Sequence, residues 1–349
     1  MKPLPPDDLA DIFQWVGDWR ALQGARIFIT GGTGFFGTWV LAALLHANRA
    51  LDLQLRVTVL TRNPEAFASR HPELANSRSL KFIRGDVTGG PIPVEPCDYV
   101  MHLATTAASE TFHGEDQLKK LETLYFGTKN VLDFAVESGA KKVLFTSSGV
   151  VYGPIDQFPE GVPESYLGGP DLSRADSALG EGKRVAEYLC AYYGKKYGLN
   201  CAIARCFSFV GPLLPLDLHY AIGNFISNAI HHQDIQIRGD GTPLRSYMYI
   251  ADATAWLLSL LLSEKAGGVY NIGASKSIAV AELACIVRDV LAPTCQVHVI
   301  CASDHVQGNF QRSVYIPCVE RIKKDLGIYE WTELKNAIQK TGAHNSYLL

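Results

Sequence analysis

The most chemically informative stretch of the chain is Gly31-Gly32-Thr33-Gly34-Phe35-Phe36-Gly37, which spaces Gly32, Gly34 and Gly37 as G-x-G-x-x-G. Glycine permits a tight turn and lets the backbone approach a pyrophosphate, which then rests on the positive end of the following helix. Such a motif is weak by itself. Here a β-branched run over 25–30 precedes it and an apolar helical stretch over 38–48 follows, and this strand–turn–helix setting points to a dinucleotide, NAD or NADP. A second strand, 55–60, runs into Thr61-Arg62-Asn63, where an NAD site usually carries an acidic side chain. Arg62 instead offers a charged fork suited to a ribose 2′-phosphate, which favours NADP over NAD; the competing reading is an exposed loop arginine. Asp86, after a third strand in KFIRGDV, is placed to accept a hydrogen bond from the adenine amino group.

These residues need a scaffold that alternates strands and helices. Further strands are expected at 80–83, 99–103, 142–146 and 200–204, with helices around 116–138 and 178–197. That alternation means βαβ units, a parallel sheet and helices on both faces, a Rossmann-type doubly wound α/β fold. Ahead of it, Leu9, Ile12, Phe13, Val16, Trp19 and Leu22 recur at helical spacing. The expected organisation is a helical arm (1–23), a dinucleotide-binding domain (24–208) and a smaller, partly interleaved substrate lobe (209–349), where prolines and glycines break the pattern after Gly211-Pro212.

Composition narrows the partners. With 32 Lys+Arg against 35 Asp+Glu there is no basic excess to hold a nucleic acid. No apolar run reaches the roughly 18 residues of a membrane span, and the amino terminus lacks a signal-peptide core. The eight cysteines include no C-x-x-C pair, so no metal site is expected, and reduced thiols in the cytoplasm are the plain reading.

In their order along the chain these pieces resemble the extended short-chain dehydrogenase/reductase family, in particular its nucleotide-sugar epimerases, dehydratases and decarboxylases, over residues 25–327. The resemblance implies that GGTGFFG holds the pyrophosphate, that Asp86 and Val87 touch adenine, and that Leu103, Ala104 and Thr105 line the nicotinamide side. It implies that Ser148, in TSSGVVYG, hydrogen-bonds a sugar hydroxyl and that Lys183, in GKRVAE, grips the nicotinamide ribose. Arg245, in GDGTPLRS, would contact the diphosphate of a nucleotide sugar. EGKRVAE and the arginine segment look most like UDP-glucuronate decarboxylase relatives, and a homodimer through the helices around 116–138 and 178–197 is implied as well.

The chain also departs from the family pattern. Its catalytic tyrosine, four residues before the lysine, is Leu179; the acidic residues that dehydratases and decarboxylases carry after the active-site Ser/Thr are Gly149 and Val150; and an asparagine often found before Gly127-Thr128 is Leu124. Leucine cannot take a proton. Glu181 lies two residues on and points to another helix face. Tyr152, Tyr166, His102 and Cys206 are candidates for the missing group, each more readily explained by packing or structural hydrogen bonding. The expected activity is that of an NAD(P)-dependent nucleotide-sugar epimerase or dehydratase-like enzyme working by transient oxidation of the sugar. Since the acidic residues for 4,6-dehydration are missing, epimerisation or another oxidation-led step is preferred. Leu179 supports the alternative of a catalytically silent dinucleotide and nucleotide-sugar binding protein, and a reductase of a small carbonyl compound is a third reading.

Overall fold

The computed structural model describes residues 2–105, 116–218, 220–300 and 313–346. Its centre is a seven-stranded, all-parallel sheet built from β1 (Arg26–Thr30), β2 (Arg56–Thr61), β3 (Leu80–Arg84), β4 (Tyr99–His102), β5 (Lys142–Ser148), β6 (Asn200–Cys206) and β11 (Gly268–Ile272). The spatial order is β3-β2-β1-β4-β5-β6-β11. Strand order therefore reverses between β1 and β4, and in such sheets ligands bind at the carboxyl ends of the strands flanking that reversal.

Between the strands run α1 (Pro6–Trp15, before β1), α2 (Phe35–Leu51), α3 (Pro64–Arg70), α4 (Pro72–Ala75), α5 (Gln117–Glu137) and α6 (Ala178–Tyr197). Successive strand residues divide between two cores. Ile27, Ile29, Val57, Val59, Met101 and Leu144 face the α2 side, while Phe28, Val100, Val143, Phe145 and Ile203 face α5 and α6. This is the period-two consequence of the pleat in a sheet covered on both faces. Helix α2 starts at Phe35, earlier than the apolar run at 38 suggested, because the last residues of the glycine motif already form its first turn.

After β6 the chain adds β7 (Phe209–Val210), α7 (Ala221–Ile230), β8 (Ile235–Arg238), β9 (Leu244–Arg245), β10 (Met248–Tyr249) and α8 (Ile250–Leu262). Strand β11 then joins the main sheet. Beyond it lie β12 (Ile278–Ala279), α9 (Val280–Leu291), β13 (Val297–Ile300), β14 (Val314–Tyr315), α10 (Glu320–Leu326) and α11 (Leu334–Asn345). Short sheets β12-β9-β14, β13-β8 and β10-β7 organise this region. The apolar run of α8 is buried along nearly all its length, and among the described residues no helix is long and apolar enough to cross a membrane.

The helical spacing over 7–23 is interrupted in the structure. Helix α1 ends at Trp15, the chain turns through Gly17-Asp18, and a short 3₁₀ segment covers Trp19–Leu22. Apolar periodicity continues across the break because both pieces pack on the same core, with Ile12, Val16, Trp19 and Leu22 all buried. One acidic side chain goes in with them. Asp8, only 1% exposed, accepts hydrogen bonds from Tyr249 Oη at 2.6 Å and from Lys340 Nζ, linking the amino-terminal helix to α11 and to β10. Replacing Asp8 by alanine leaves the buried Tyr249 hydroxyl without this acceptor, with an expected loss of about 1–3 kcal/mol. Urea denaturation checks it: the midpoint should fall at constant m-value, and an unchanged midpoint would show that this contact contributes nothing to stability.

Candidate functional site

The loops after β1 and β4 meet at the strand-order reversal. Gly31 has φ +70°, and a Cβ on it would lie 2.6 Å from Ala104 N; a Cβ on Gly37 would lie 2.3 Å from Gly31 O. Both glycines are therefore required by close backbone approach. Gly34 is the N-cap of α2 and gives the first turn no side-chain cap. An uncapped helix start behind a glycine turn matches the shape and polarity of a pyrophosphate, so these residues fit a dinucleotide. Thr33 Oγ1 and Thr61 Oγ1, 3.2 Å apart, tie the turn to the end of β2. On the β4 side, Leu103 N donates to Thr30 O at 3.0 Å and Ala104 N to Thr30 Oγ1 at 3.3 Å, leaving Thr105 exposed at the edge.

Arg62 and Asp86 come together. Arg62 Nε stands 4.0 Å from Asp86 Oδ2, with the arginine side chain 59% exposed. The other Asp86 oxygen accepts from Thr88 N at 2.9 Å and Thr88 Oγ1 at 2.7 Å. Burial works to raise the Asp86 carboxyl, but the Thr88 hydrogen bonds and the Arg62 charge outweigh it and hold it below its ordinary value. Val87 is fixed beside this pair: its carbonyl accepts from Asn130 Nδ2 at 2.9 Å, and its side chain sits where a Cβ on Gly127 would be, at 2.7 Å.

Helix α6 carries the second half of the site. Leu179, Lys183 and Glu187 recur every four residues along it, so they share one stripe. The buried Lys183 Nζ donates to Thr146 O at 2.6 Å and lies 4.7 Å from the Phe145 ring centroid. Burial pulls its ammonium down to about 8, against the opposing influence of Cys206 and Glu187. Ser148, two residues beyond Thr146 at the end of β5, accepts from Val150 N at 3.3 Å and remains partly exposed.

Sequence reasoning did not single out what holds this stripe in place. Glu187 accepts from Ser147 Oγ at 2.5 Å and pairs bidentately with Arg205 at 3.0 and 2.6 Å, and the Arg205 guanidinium stacks 4.5 Å from the Tyr152 ring centroid. The i, i+4 relation of Lys183 and Glu187 was the available signal.

The candidates for the missing tyrosine are otherwise engaged. His102 is buried between Thr30 Oγ1, 2.7 Å from Nδ1, and Thr128 Oγ1, 3.1 Å from Nε2. Burial, with the Lys183 charge, pushes its imidazole down to about 3. Tyr152 donates to Asn271 Oδ1 at 2.8 Å and is pushed up to about 12 by burial. Cys206 is buried near Lys183, its thiol likewise raised to about 12 by burial. Tyr166 accepts from Gln157 at 3.0 Å, and Glu181 faces Arg184 at 4.0 Å.

Two family departures gain a packing reason. A Cβ on Gly149 would lie 2.7 Å from Phe207 Cζ, so the ring fills the space an acidic side chain would need. Leu124 stands where a Cβ on Gly182 would be, at 2.5 Å, filling the seam between α5 and α6. Arg245 lies in β9, its Nη1 donating to Leu244 O at 2.8 Å and to Ser313 O at 3.4 Å. It pairs in register with Tyr315, whose ring lies 4.7 Å from that of Phe207. A chain of contacts thus runs from the Arg245 strand to the turn after Ser148.

Comparison with known proteins agrees with this layout. The model of the NAD dependent epimerase/dehydratase family matches residues 27–273. UDP-glucuronic acid decarboxylase 3 of Arabidopsis thaliana is 32% identical over 277 residues, 79% of this chain and 77% of the relative. Among solved structures, the UDP-glucuronic acid 4-epimerase of Bacillus cereus, in complex with UDP-glucuronic acid and NAD, superposes with a TM-score of 0.79 at 22% identity, covering 93% of this chain and 100% of that one. A dTDP-glucose 4,6-dehydratase from Streptomyces venezuelae gives 0.75 at 23%, covering 92% and 96%. These relatives are named as enzymes and lend no support to the silent binding protein that Leu179 suggested.

A buried neutral His102 makes stability pH-dependent. Its folded value near 3 lies below the unfolded value of about 6.5, so the unfolded chain binds the proton first as pH falls. The His102 contribution should be intact above about pH 6.5 and lost progressively toward about pH 3. Denaturant midpoints across that window should decline less steeply in His102→Gln than in the unmodified protein; parallel declines would contradict this placement.

Proposed function

The chain belongs to the NAD dependent epimerase/dehydratase family, and from that premise we propose that it oxidises a nucleotide sugar transiently and returns it epimerised or otherwise rearranged. The observation that carries this reading is the juxtaposition of Ser148 and Lys183, joined through Thr146 on β5, in a fold whose glycine turn fits a dinucleotide. NAD or NADP, when bound, supplies reversible hydride acceptance. Ser148 orients a sugar hydroxyl, and Lys183 fixes the nicotinamide ribose while holding a positive charge where a hydroxyl proton must leave. Arg62 reads a ribose 2′-phosphate, favouring NADP, and Arg245, on the lobe formed by 209–349, holds the diphosphate of the sugar nucleotide. Phe207 against Gly149 leaves no room for the acid that 4,6-dehydration needs, which supports an epimerase-like outcome.

Exposed apolar side chains on α5 and α6, including Phe126, Tyr188 and Tyr192, support a homodimer through these helices. The free thiols among the described cysteines suit a cytoplasmic setting.

In this reading Leu179 limits the rate. It lies one helical turn before Lys183 on the same stripe, where a phenol would have its proton made labile by the neighbouring ammonium. General acid–base catalysis contributes about a hundred- to ten-thousand-fold. Leu179→Tyr should raise turnover by that order, measured with a panel of UDP- and dTDP-sugars by product analysis. No gain, with dinucleotide and sugar still bound, would contradict the assignment of the proton-transfer position to residue 179.

A further inference from the structure

Strands β1 and β4 end side by side at the strand-order reversal, with Thr30 and His102 in register as their last residues. Both side chains are buried, as is Thr128 of α5, and the three form one hydrogen-bonded row. Thr128 Oγ1 lies 3.1 Å from His102 Nε2, His102 Nδ1 lies 2.7 Å from Thr30 Oγ1, and Thr30 Oγ1 accepts from Ala104 N at 3.3 Å. A neutral imidazole has one donor and one acceptor nitrogen, and a hydroxyl serves as either, so both ring nitrogens are satisfied whichever carries the proton. Ala104 is also the residue against which the glycine turn closes, since a Cβ on Gly31 would lie 2.8 Å from its Cα. From the other side, the His102 carbonyl accepts from Thr146 Oγ1 at 3.2 Å, and Thr146 O receives the Lys183 ammonium at 2.6 Å.

We infer that His102 is a positioning residue for the dinucleotide: through Thr30 it fixes the amide of Ala104, and with it the 103–105 segment that walls the nicotinamide half of the cradle. This rests on the reading of the glycine turn as a dinucleotide cradle and deepens it by naming what holds the opposite wall. A threonine hydroxyl by itself rotates. The imidazole at 2.7 Å takes that freedom away, so the Thr30 lone pair that Ala104 N needs stays in place. Thr128 in turn holds the ring from α5, and Thr146 holds its backbone from β5. His102 acts at one remove, buried behind the wall. A hydride passes only between carbons held close together, so a wall free to shift costs turnover as well as affinity.

The test is calorimetric titration of the full chain with each dinucleotide and with the fragment lacking its nicotinamide half: NADP against 2′-phospho-ADP-ribose, NAD against ADP-ribose. In His102→Gln the amide reaches the place of Nε2 and serves Thr128, leaving Thr30 unheld; in His102→Asn it reaches the place of Nδ1 and serves Thr30 as donor or acceptor. The expected result is a loss of about tenfold in dinucleotide affinity for His102→Gln, the worth of one hydrogen bond, with fragment affinity nearly unchanged and with recovery in His102→Asn. Thr30→Val, which keeps the shape and removes the hydroxyl, should match His102→Gln and carries the test if that variant folds poorly. Unchanged dinucleotide affinity, an equal loss for dinucleotide and fragment, or no recovery in His102→Asn would overturn the inference. If the unmodified chain takes up neither dinucleotide, the functional reading itself fails and the inference falls with it.

Discussion

The site depends on a polar seam buried between α6 and the sheet. Glu187 and Arg205 are nearly withdrawn from water and compensate each other's charge through a bidentate fork, with Ser147 adding a third hydrogen bond to the carboxylate, while Arg205 Nη1 is buried without a hydrogen-bond partner among the described residues. Four residues earlier on the same stripe, Lys183 has its ammonium on the Thr146 carbonyl. The two anchors together fix the rotation of the helix against β5. Any turn of the helix that moved Lys183 away from Thr146 would also separate Glu187 from Ser147 and Arg205, leaving charges uncompensated in an apolar core. Glycine 182 admits the close approach of α5 from the other side.

Much of the dinucleotide half was legible in the sequence because its constraints are local. Gly32, Gly34 and Gly37 stand out by their G-x-G-x-x-G spacing, and the strand and helix on either side announce themselves by periodicity. What escaped was set by contacts between distant segments. That His102 is locked between Thr30 and Thr128, that Tyr152 is committed to Asn271, and that Glu187 meets Arg205 all depend on strand order, which periodicity does not specify. The arm shows the opposite limit: helical spacing persisted through a break at Gly17 because the core, and not the helix, imposes the spacing.

The departures at 124, 149 and 179 differ in kind. Leu124 and Gly149 are packing solutions: Leu124 fills the space a Cβ on Gly182 would take, and Phe207 fills the space a side chain at 149 would take. Leu179 lies in the first turn of α6, partly exposed. On the proposed reading it alters the chemistry and not the scaffold. The neighbouring titratable side chains do not replace it, because burial keeps His102 neutral and Tyr152 and Cys206 protonated at neutral pH. On the proposed reading the site has a cradle for a dinucleotide, an orienting hydroxyl in Ser148 and a cation in Lys183, and it lacks a phenol at 179.

The central claim is that the glycine turn and the Lys183 stripe together hold a dinucleotide. Native mass spectrometry of the purified protein, with the non-covalent complex then dissociated and the released small molecules identified, tests it most directly. The claim predicts one dinucleotide per chain, NADP in preference to NAD, retained on purification or taken up when both are supplied together. A protein that retains neither, and takes up neither when each is added in excess, would contradict it.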